Sequence, residues 1–416
     1  MNQRVVVVGG GVIGLASAHY LRRDGWDVTV IDQGQIGRGC SRGNCGFVCP
    51  SHVLPLATPG AIGATLKTLF QRNSPLKVRL RFDPALWSWF WQFARRCNTA
   101  DMLDSGRAIQ ALLNSGRALY DELFATERVD AEWQTRGLLF VFQTSAAMEH
   151  YGETDRLLRE HFGVGATRYD GPAVNALEPA LKDGLAGAWH YTTDAHLRPD
   201  KLLASWQQLL ESRGVTFREN CAFAGLASAG RKADAVETAQ GRVAADAVVI
   251  ATGAWTPLLN RHLGCRVPIQ PGKGYSITMA RPAVCPTVPM LFEEHRVGVT
   301  PMPSGYRLGS TMEFAGYDTT LRRKRLELLR AGASHYLREP SAEPVEEEWW
   351  GWRPMVADGK PIIDRSPAHE NVLIAAGHGM LGLSMAPATG KLVAELLGGA
   401  KPHIDPMPYA LGRFGA

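Results

Sequence analysis

Three glycines, Gly9, Gly11 and Gly14, stand in the spacing G-x-G-x-x-G within VVVVGGGVIG (5–14). Gly9 permits a tight turn, Gly11 lets the backbone approach a pyrophosphate, and Gly14 lets a helix lie close against a strand. Val12 and Ile13 begin that helix, whose first N–H groups are oriented towards phosphate. Eighteen residues after Gly14 comes Asp32, a carboxylate placed to accept hydrogen bonds from an adenosine ribose. A lone fingerprint is weak evidence, and here the surroundings supply the rest. Residues 5–8 are four valines, as in a strand buried on both faces. Residues 13–21 are small and apolar enough to pack on it, and a second strand over 27–31 delivers Asp32.

The chain around this motif has 416 residues, too many for one compact core, so two domains are expected. Hydrophobic residues make up 45% and charged residues 20%, an ordinary globular mixture. The net charge of +5 is small, with Lys and Arg spread along the chain. That argues against nucleic acid as the main ligand and suits a small anionic one. Seven cysteines with no C-x-x-C pair fit a reducing compartment. The opening run mimics a signal peptide, but its glycines assign it to a mature domain. No later run reaches the ~18–20 apolar residues of a membrane span. The expectation is a cytoplasmic protein without a transmembrane helix.

After Asp32 the next βα unit of a simple nicotinamide-binding fold does not follow. Instead comes a loop rich in Gly, Ser, Cys and Pro, over 33–60. Strands read again at 214–220 and 245–253, and 371–397 reads as strand, glycine loop and helix. The dinucleotide domain is therefore assembled from separated pieces. Between them, 109–124 reads as an amphipathic helix, 137–143 as a strand, and 266–345 mainly as antiparallel strands.

Four further stretches complete the pattern: SRGNCGFVCPSHVLPLATPG (41–60), QPGKGYSITM (270–279), WGWRPMVADGKPIID (350–364) and GHGMLGLSMAPATGKL (377–392). With the fingerprint they resemble the FAD-dependent amine and amino-acid oxidoreductases related to D-amino-acid oxidase, glycine oxidase and sarcosine oxidase. Within that group the likeness is to the bacterial D-amino-acid dehydrogenase small-subunit type, over essentially the whole chain. The resemblance implies an α/β fold, α+β overall. A Rossmann-like FAD-binding domain would come from 1–54, 191–265 and 346–416. A substrate domain with a mainly antiparallel sheet and helices would come from 55–190 and 266–345. It also implies noncovalent FAD, since the covalent relatives attach flavin at other positions.

Arg353 is the expected substrate anchor, because its planar fork matches a carboxylate and relatives like glycine oxidase use an arginine in this G-x-R-P stretch. The competing reading is cation-π packing on Trp349, Trp350 or Trp352. Tyr275 would orient the carboxylate or line the pocket, with core packing as the alternative. His378 is a flavin-contact candidate that could equally cap its loop. Ser41 and Asn44 are short polar side chains placed for pyrophosphate or flavin edge atoms, and Gly46 would leave room for a ring. Thr252 and Gly253 end a strand at the cofactor. Gly377, Gly379, Met380, Leu381 and Gly382 form a loop whose N–H groups and following helix would stabilise negative charge on reduced flavin. Pro387 is expected in the first turn of that helix. Cys40, Cys45 and Cys49 with His52 do not match a zinc spacing, so no metal is assigned.

The chemistry implied is hydride transfer from the α-carbon of an unprotonated amine to flavin N5, followed by hydrolysis of the imine to an oxo acid and ammonia. It needs orientation and a dry pocket rather than an acid–base pair. Two other readings compete. One is oxidation of cyclic imino acids (D-proline, D-hydroxyproline) or other secondary amines. The other is a non-amine flavoprotein or nucleotide-binding scaffold. The acceptor would be a quinone or another respiratory-chain component rather than oxygen. FDPALWSWFWQFARRC (82–97), flanked by Arg79, Arg81, Arg95 and Arg96, is a candidate for peripheral contact with the inner face of the cell membrane, against a reading as packed core.

Overall fold

The computed structural model describes residues 2–63, 76–79 and 81–415. Residues 64–75 and 80, which fall in the predicted substrate segment 55–190, lie outside the described residues.

The first strand, Arg4–Val8, runs parallel between Asp27–Ile31 and Ala247–Ile250, so Val7 stands between Val30 and Val249. Thr216–Arg218 extends this six-stranded sheet on one side, and Val372–Ala376 followed by Ile362–Arg365 on the other. Side chains alternate between faces along a strand. Val5 and Val7 accordingly pack into the core shared with Leu15 and Leu392, while Val6 and Val8 pack with Val236 and Val243. The first face is covered by the helices Val12–Arg23 and Gly382–Gly398. The second lies under a three-stranded antiparallel sheet of Phe223–Ala229, Lys232–Thr238 and Gly241–Ala244. The two helices touch almost backbone to backbone: a Cβ on Gly390 would stand 2.4 Å from the Ala16 carbonyl carbon.

Pro387 is the sixth residue of its helix rather than a first-turn residue. A proline there leaves the carbonyl four residues back without its usual N–H. That carbonyl belongs to Leu383, and the buried Tyr120 hydroxyl donates to it at 2.9 Å. Tyr120 sits on the long helix Thr99–Thr126, so a tertiary contact tolerates what local propensity would forbid.

The second large sheet has nine strands. Val345–Val356 pairs with Ile269–Met279, which pairs with Gly305–Phe314, and Val297–Met302, Met290–Phe292, Leu138–Phe142, Gly187–Tyr191 and Thr167–Asp170 follow in turn. Leu76–Val78 joins alongside Gly305–Phe314. All pairings are antiparallel except this last one and that of Met290–Phe292 with Leu138–Phe142. The helix Arg323–Ser334 covers one face through Leu326 and Leu329, against Tyr275 and Leu308.

The expected domain junction at 346 falls inside the Val345–Val356 strand and is corrected here. From Val356 to Glu347 that strand stays in register with Ile269–Thr278, with a bulge only before Val345, so Trp349, Trp352 and Arg353 belong to the nine-stranded sheet. The tryptophans obscured a strand whose alternation is plain only once its partner is known.

Candidate active site

Local sterics build the nucleotide end. Gly9 has φ of +111°, and a Cβ on it would meet the Ala251 carbonyl oxygen at 2.5 Å. A Cβ on Gly14 would stand 1.9 Å from the Gly9 carbonyl oxygen. Gly14 therefore acts beneath the turn, and it does not line the cavity as Gly9, Gly11, Val12 and Ile13 do. The Asp32 carboxylate clasps the turn, Oδ2 accepting from Gly10 N–H and Oδ1 from Gly34 N–H, each at 2.8 Å. Ser41 Oγ accepts from Val12 N–H at 3.0 Å and so occupies the start of the helix.

One cavity of about 270 Å³ has walls that include Asp32 in the dinucleotide fold and Arg353 on the nine-stranded sheet. Ser41, Asn44, Thr252, Gly253, Gly379, Met380 and Gly382 line it as expected. Asn44 holds its own loop, Nδ2 donating to Ser41 O at 2.7 Å and Oδ1 accepting from Gly46 N–H at 2.8 Å. Gly46 makes no room for a ring: at φ of +74° it faces the Leu197 carbonyl oxygen, 2.0 Å from where its Cβ would be. Gly377 lies against Val356, and neither it nor Leu381 lines the cavity. Leu381 instead ends the turn before the Gly382–Gly398 helix.

Arg353 is half-buried at the cavity wall, and desolvation lowers its pKa from the usual value, although a guanidinium keeps its proton. Among the described residues its hydrogen bond is Nη1 to the Thr311 carbonyl oxygen at 2.6 Å, and no carboxylate pairs with it. Its guanidinium lies over Gly274 on the neighbouring strand. The cation that does stack on tryptophan is Lys273, 4.6 Å from the Trp350 ring. Adjacent residues on a strand face opposite ways, so Arg353 and Lys273 serve different faces of the sheet.

Tyr275 lines the cavity, but its hydroxyl donates to Glu313 Oε2 at 2.8 Å. With its hydroxyl hydrogen engaged by Glu313, Tyr275 stands here as a wall residue, the second of its two expected roles. Glu313 is itself 1% exposed and 3.5 Å from Arg322. His378 lines the cavity with Nε2 hydrogen-bonded to Thr389 Oγ1 at 3.0 Å, tying the glycine loop to its helix. Burial pushes the His378 pKa down to about 3, so the ring is neutral and carries no proton for the reaction. Burial also pushes Cys40 up to about 11 and raises Cys45, leaving neutral thiols near Arg353.

The cysteine loop divides in the fold. Cys40 and Cys45 stay at the cavity, while Cys49 and His52 meet Asp194, with possible ligand atoms all within 4.8 Å. Asp194 accepts from Ser51 Oγ at 2.5 Å and Ser51 N–H at 3.1 Å, and burial pushes its pKa up to about 7. Trp255, Trp349 and Trp352, which also line the cavity, were missed as site residues. The signal was the density of tryptophan around Arg353, which had been weighed only as a partner for its charge.

A dinucleotide turn and a half-buried arginine with no carboxylate partner among the described residues thus share one cavity, an arrangement of the kind a nucleotide-dependent enzyme presents. The family model for FAD dependent oxidoreductases matches residues 4–396, and the chain belongs to that family. It is 36% identical to a D-amino acid dehydrogenase of Methylobacterium radiotolerans, covering 99% of this chain and 100% of that protein. It is 35% identical to the D-amino acid dehydrogenase of Methylobacterium nodulans, over 96% of each. Among solved structures, glycine oxidase from Geobacillus kaustophilus shares the fold with a TM-score of 0.79 at 22% identity, over 99% of both chains. FAD is the cofactor, and the residues lining the cavity run from the dinucleotide turn at Gly11 and Asp32 to His378 in the C-terminal glycine loop.

Proposed function

We propose that this chain oxidises D-amino acids to 2-oxo acids and ammonia and passes the electrons to a quinone or a similar acceptor. The observation that carries the reading is Arg353, a half-buried cation on the cavity wall with no carboxylate partner among the described residues. An uncompensated buried charge is costly, and a substrate carboxylate would satisfy it. The names of the curated relatives support the substrate class.

Bound FAD supplies the hydride acceptor. The protein's own part is positional. Arg353 holds the carboxylate with one side of its fork anchored on the Thr311 carbonyl. The neutral surroundings of His378, Cys40 and Cys45 neither take nor give protons, so the amine must arrive unprotonated. Noncovalent attachment, with Asp32 at the ribose and Gly11 and Val12 at the pyrophosphate, belongs to the same reading. So do the other fingerprint and C-terminal-loop residues. Segments 1–54 and 191–265 and the chain after the Val345–Val356 strand would hold the cofactor under the nine-stranded roof.

Among the described residues no helix is long and apolar enough to cross a membrane. Peripheral contact on the inner face of the cell membrane is favoured by Phe82, Trp87 and Trp91, which are 99%, 50% and 59% exposed on one short segment. The deciding experiment is an anaerobic flavin-reduction screen over D- and L-amino acids, prolines and N-methyl amino acids. Reduction by D-amino acids is expected, and a flavin that none of them bleaches would overturn the assignment.

A further inference from the structure

Trp349 and Arg353 lie on the same face of the Val345–Val356 strand, with Gly351 between them. The Trp349 indole is fixed by two glycines. A Cβ on Gly43, in the cavity loop, would stand 2.2 Å from Trp349 Cδ2, and one on Gly351 would stand 2.3 Å from Cζ2. The six-membered ring thus leans over Gly351, towards Arg353. Arg353 leans the other way, its Cζ 2.5 Å from where a Gly274 Cβ would be. Gly351 and Gly274 are opposite each other in register. Facing residues on adjacent strands lie about 5 Å apart. The guanidinium and the indole therefore sit side by side over one glycine pair, and both line the cavity.

Resting on the amino-acid reading above, we propose that Trp349 is a specificity-determining residue, a fixed wall beside the carboxylate anchor that admits a compact, uncharged α-substituent and turns away bulky or charged ones. A carboxylate on Arg353 brings the α-carbon within a bond or two of the guanidinium, so its substituent must pass the neighbouring group. That neighbour is held in place, its indole packed close against the glycine backbone of Gly43 on the cavity loop and of Gly351 on its own strand. The nearby thiols are neutral, since burial pushes Cys40 up to about 11 and raises Cys45, so an ionised side chain would find no partner there. A short aliphatic chain, or a small ring closed onto the nitrogen, meets both conditions.

The test compares wild type with Trp349→Phe and Trp349→Ala as flavin-loaded proteins. Anaerobic flavin reduction is followed with D-alanine, D-proline, D-phenylalanine and D-lysine, and folding is checked by the bound-flavin spectrum and melting temperature. Removing the wall should raise kcat/KM for D-phenylalanine relative to D-alanine by about tenfold or more in the Ala variant. The Phe variant should be intermediate. Relative rates unchanged in both variants overturn the proposal while leaving the amino-acid reading intact. If wild-type flavin is reduced by no amino acid, that reading falls and takes this one with it. If the Ala variant loses its flavin, the Phe variant decides by the same ratio.

Discussion

Gly274 leaves the space that the Arg353 guanidinium fills: a Cβ there would meet Arg353 Cζ at 2.5 Å, Nη2 at 2.5 Å and Nη1 at 2.7 Å. The two residues are on neighbouring strands, and Arg353 reaches across from its place opposite Gly272. The position of the Arg353 guanidinium is thus set by a missing side chain as much as by a present one. In Lys273-Gly274-Tyr275 it is the glycine that shapes where the Arg353 guanidinium lies.

Replacing Arg353 with Ala should cost about 2–4 kcal/mol in kcat/KM for the amino acid, mostly through KM, with the bound-flavin spectrum nearly intact. Gly274→Ala should act on the same step more mildly. The atoms in its way are the end of a flexible side chain, so the guanidinium moves and the fold stays. Steady-state kinetics on both variants provide the check, and an unaltered KM in Arg353→Ala would remove this residue from the carboxylate site.

The flavin should come free when the protein is precipitated with acid, and chromatography should identify it as FAD. Asp32 accepts two N–H groups of the turn, from Gly10 and Gly34. Asp32→Ala should therefore lower flavin content and also destabilise the empty protein, by about 1–3 kcal/mol. Yellow colour that stays in the acid pellet, or FMN in the supernatant, contradicts the assignment.

The pH dependence of flavin reduction should report the substrate rather than the protein. His378 is held down at about 3 and Cys40 is pushed up to about 11, so between about pH 4 and about 10 neither changes charge, and burial raises Cys45 and Tyr275 as well. Hydride leaves only from the neutral amine, so kcat/KM should rise with pH and level off as the free substrate's amine titrates. The curve should shift when the substrate is exchanged for one with a different amine pKa, and His378→Asn should keep its shape. An acidic limb near pH 6–7 that vanishes in His378→Asn would instead make the histidine a proton carrier.

What could be read ahead of the structure follows from how local the cause is. The turn at Gly9, the strand of valines and Asp32 lie close together in the first thirty-odd residues, where composition and spacing exposed them even though Ala251 and the Ala247–Ile250 strand complete their surroundings. The helix over 109–124 and the strand over 137–143 were legible for the same reason: the first falls within Thr99–Thr126, and the second overruns Leu138–Phe142 by one residue at each end. Gly46 was misjudged because its constraint is the Leu197 carbonyl, far along the chain. Pro387 was misplaced because a helix elsewhere supplies its missing donor. Trp349 became visible as a wall only when its two glycine supports met in space.

The aromatic segment provides the last prediction, and the structure alters its terms. Asp83 caps the Pro84–Arg96 helix by accepting from Ala85 and Leu86 N–H. Leu86 and Trp89 are buried, with Trp89 Nε1 donating to Met355 O at 3.0 Å and its ring packed beside Phe93 and Phe314. Half of the tryptophan-rich face is therefore core, and the exposed half is Trp87 and Trp91, with Phe82 just before the helix. The flanking charge is largely spent within the protein: Arg79 pairs with Asp318 at 2.9 Å, Arg81 with Asp83 at 2.8 Å, and Arg96 donates to Arg413 O at 3.4 Å. Arg95 lies over the Trp91 ring at 4.7 Å. Binding to lipid, if these rings enter the interface, should then be driven by apolar burial more than by attraction to anionic headgroups. The protein should sediment with vesicles, and raising salt from about 0.01 to about 0.15 M should weaken that only modestly. Changing Trp87 and Trp91 to Ser should abolish sedimentation while leaving flavin reduction by substrate unchanged, since neither ring lines the cavity. Absence of vesicle binding at low salt would make this face a protein contact and a soluble carrier the better electron acceptor.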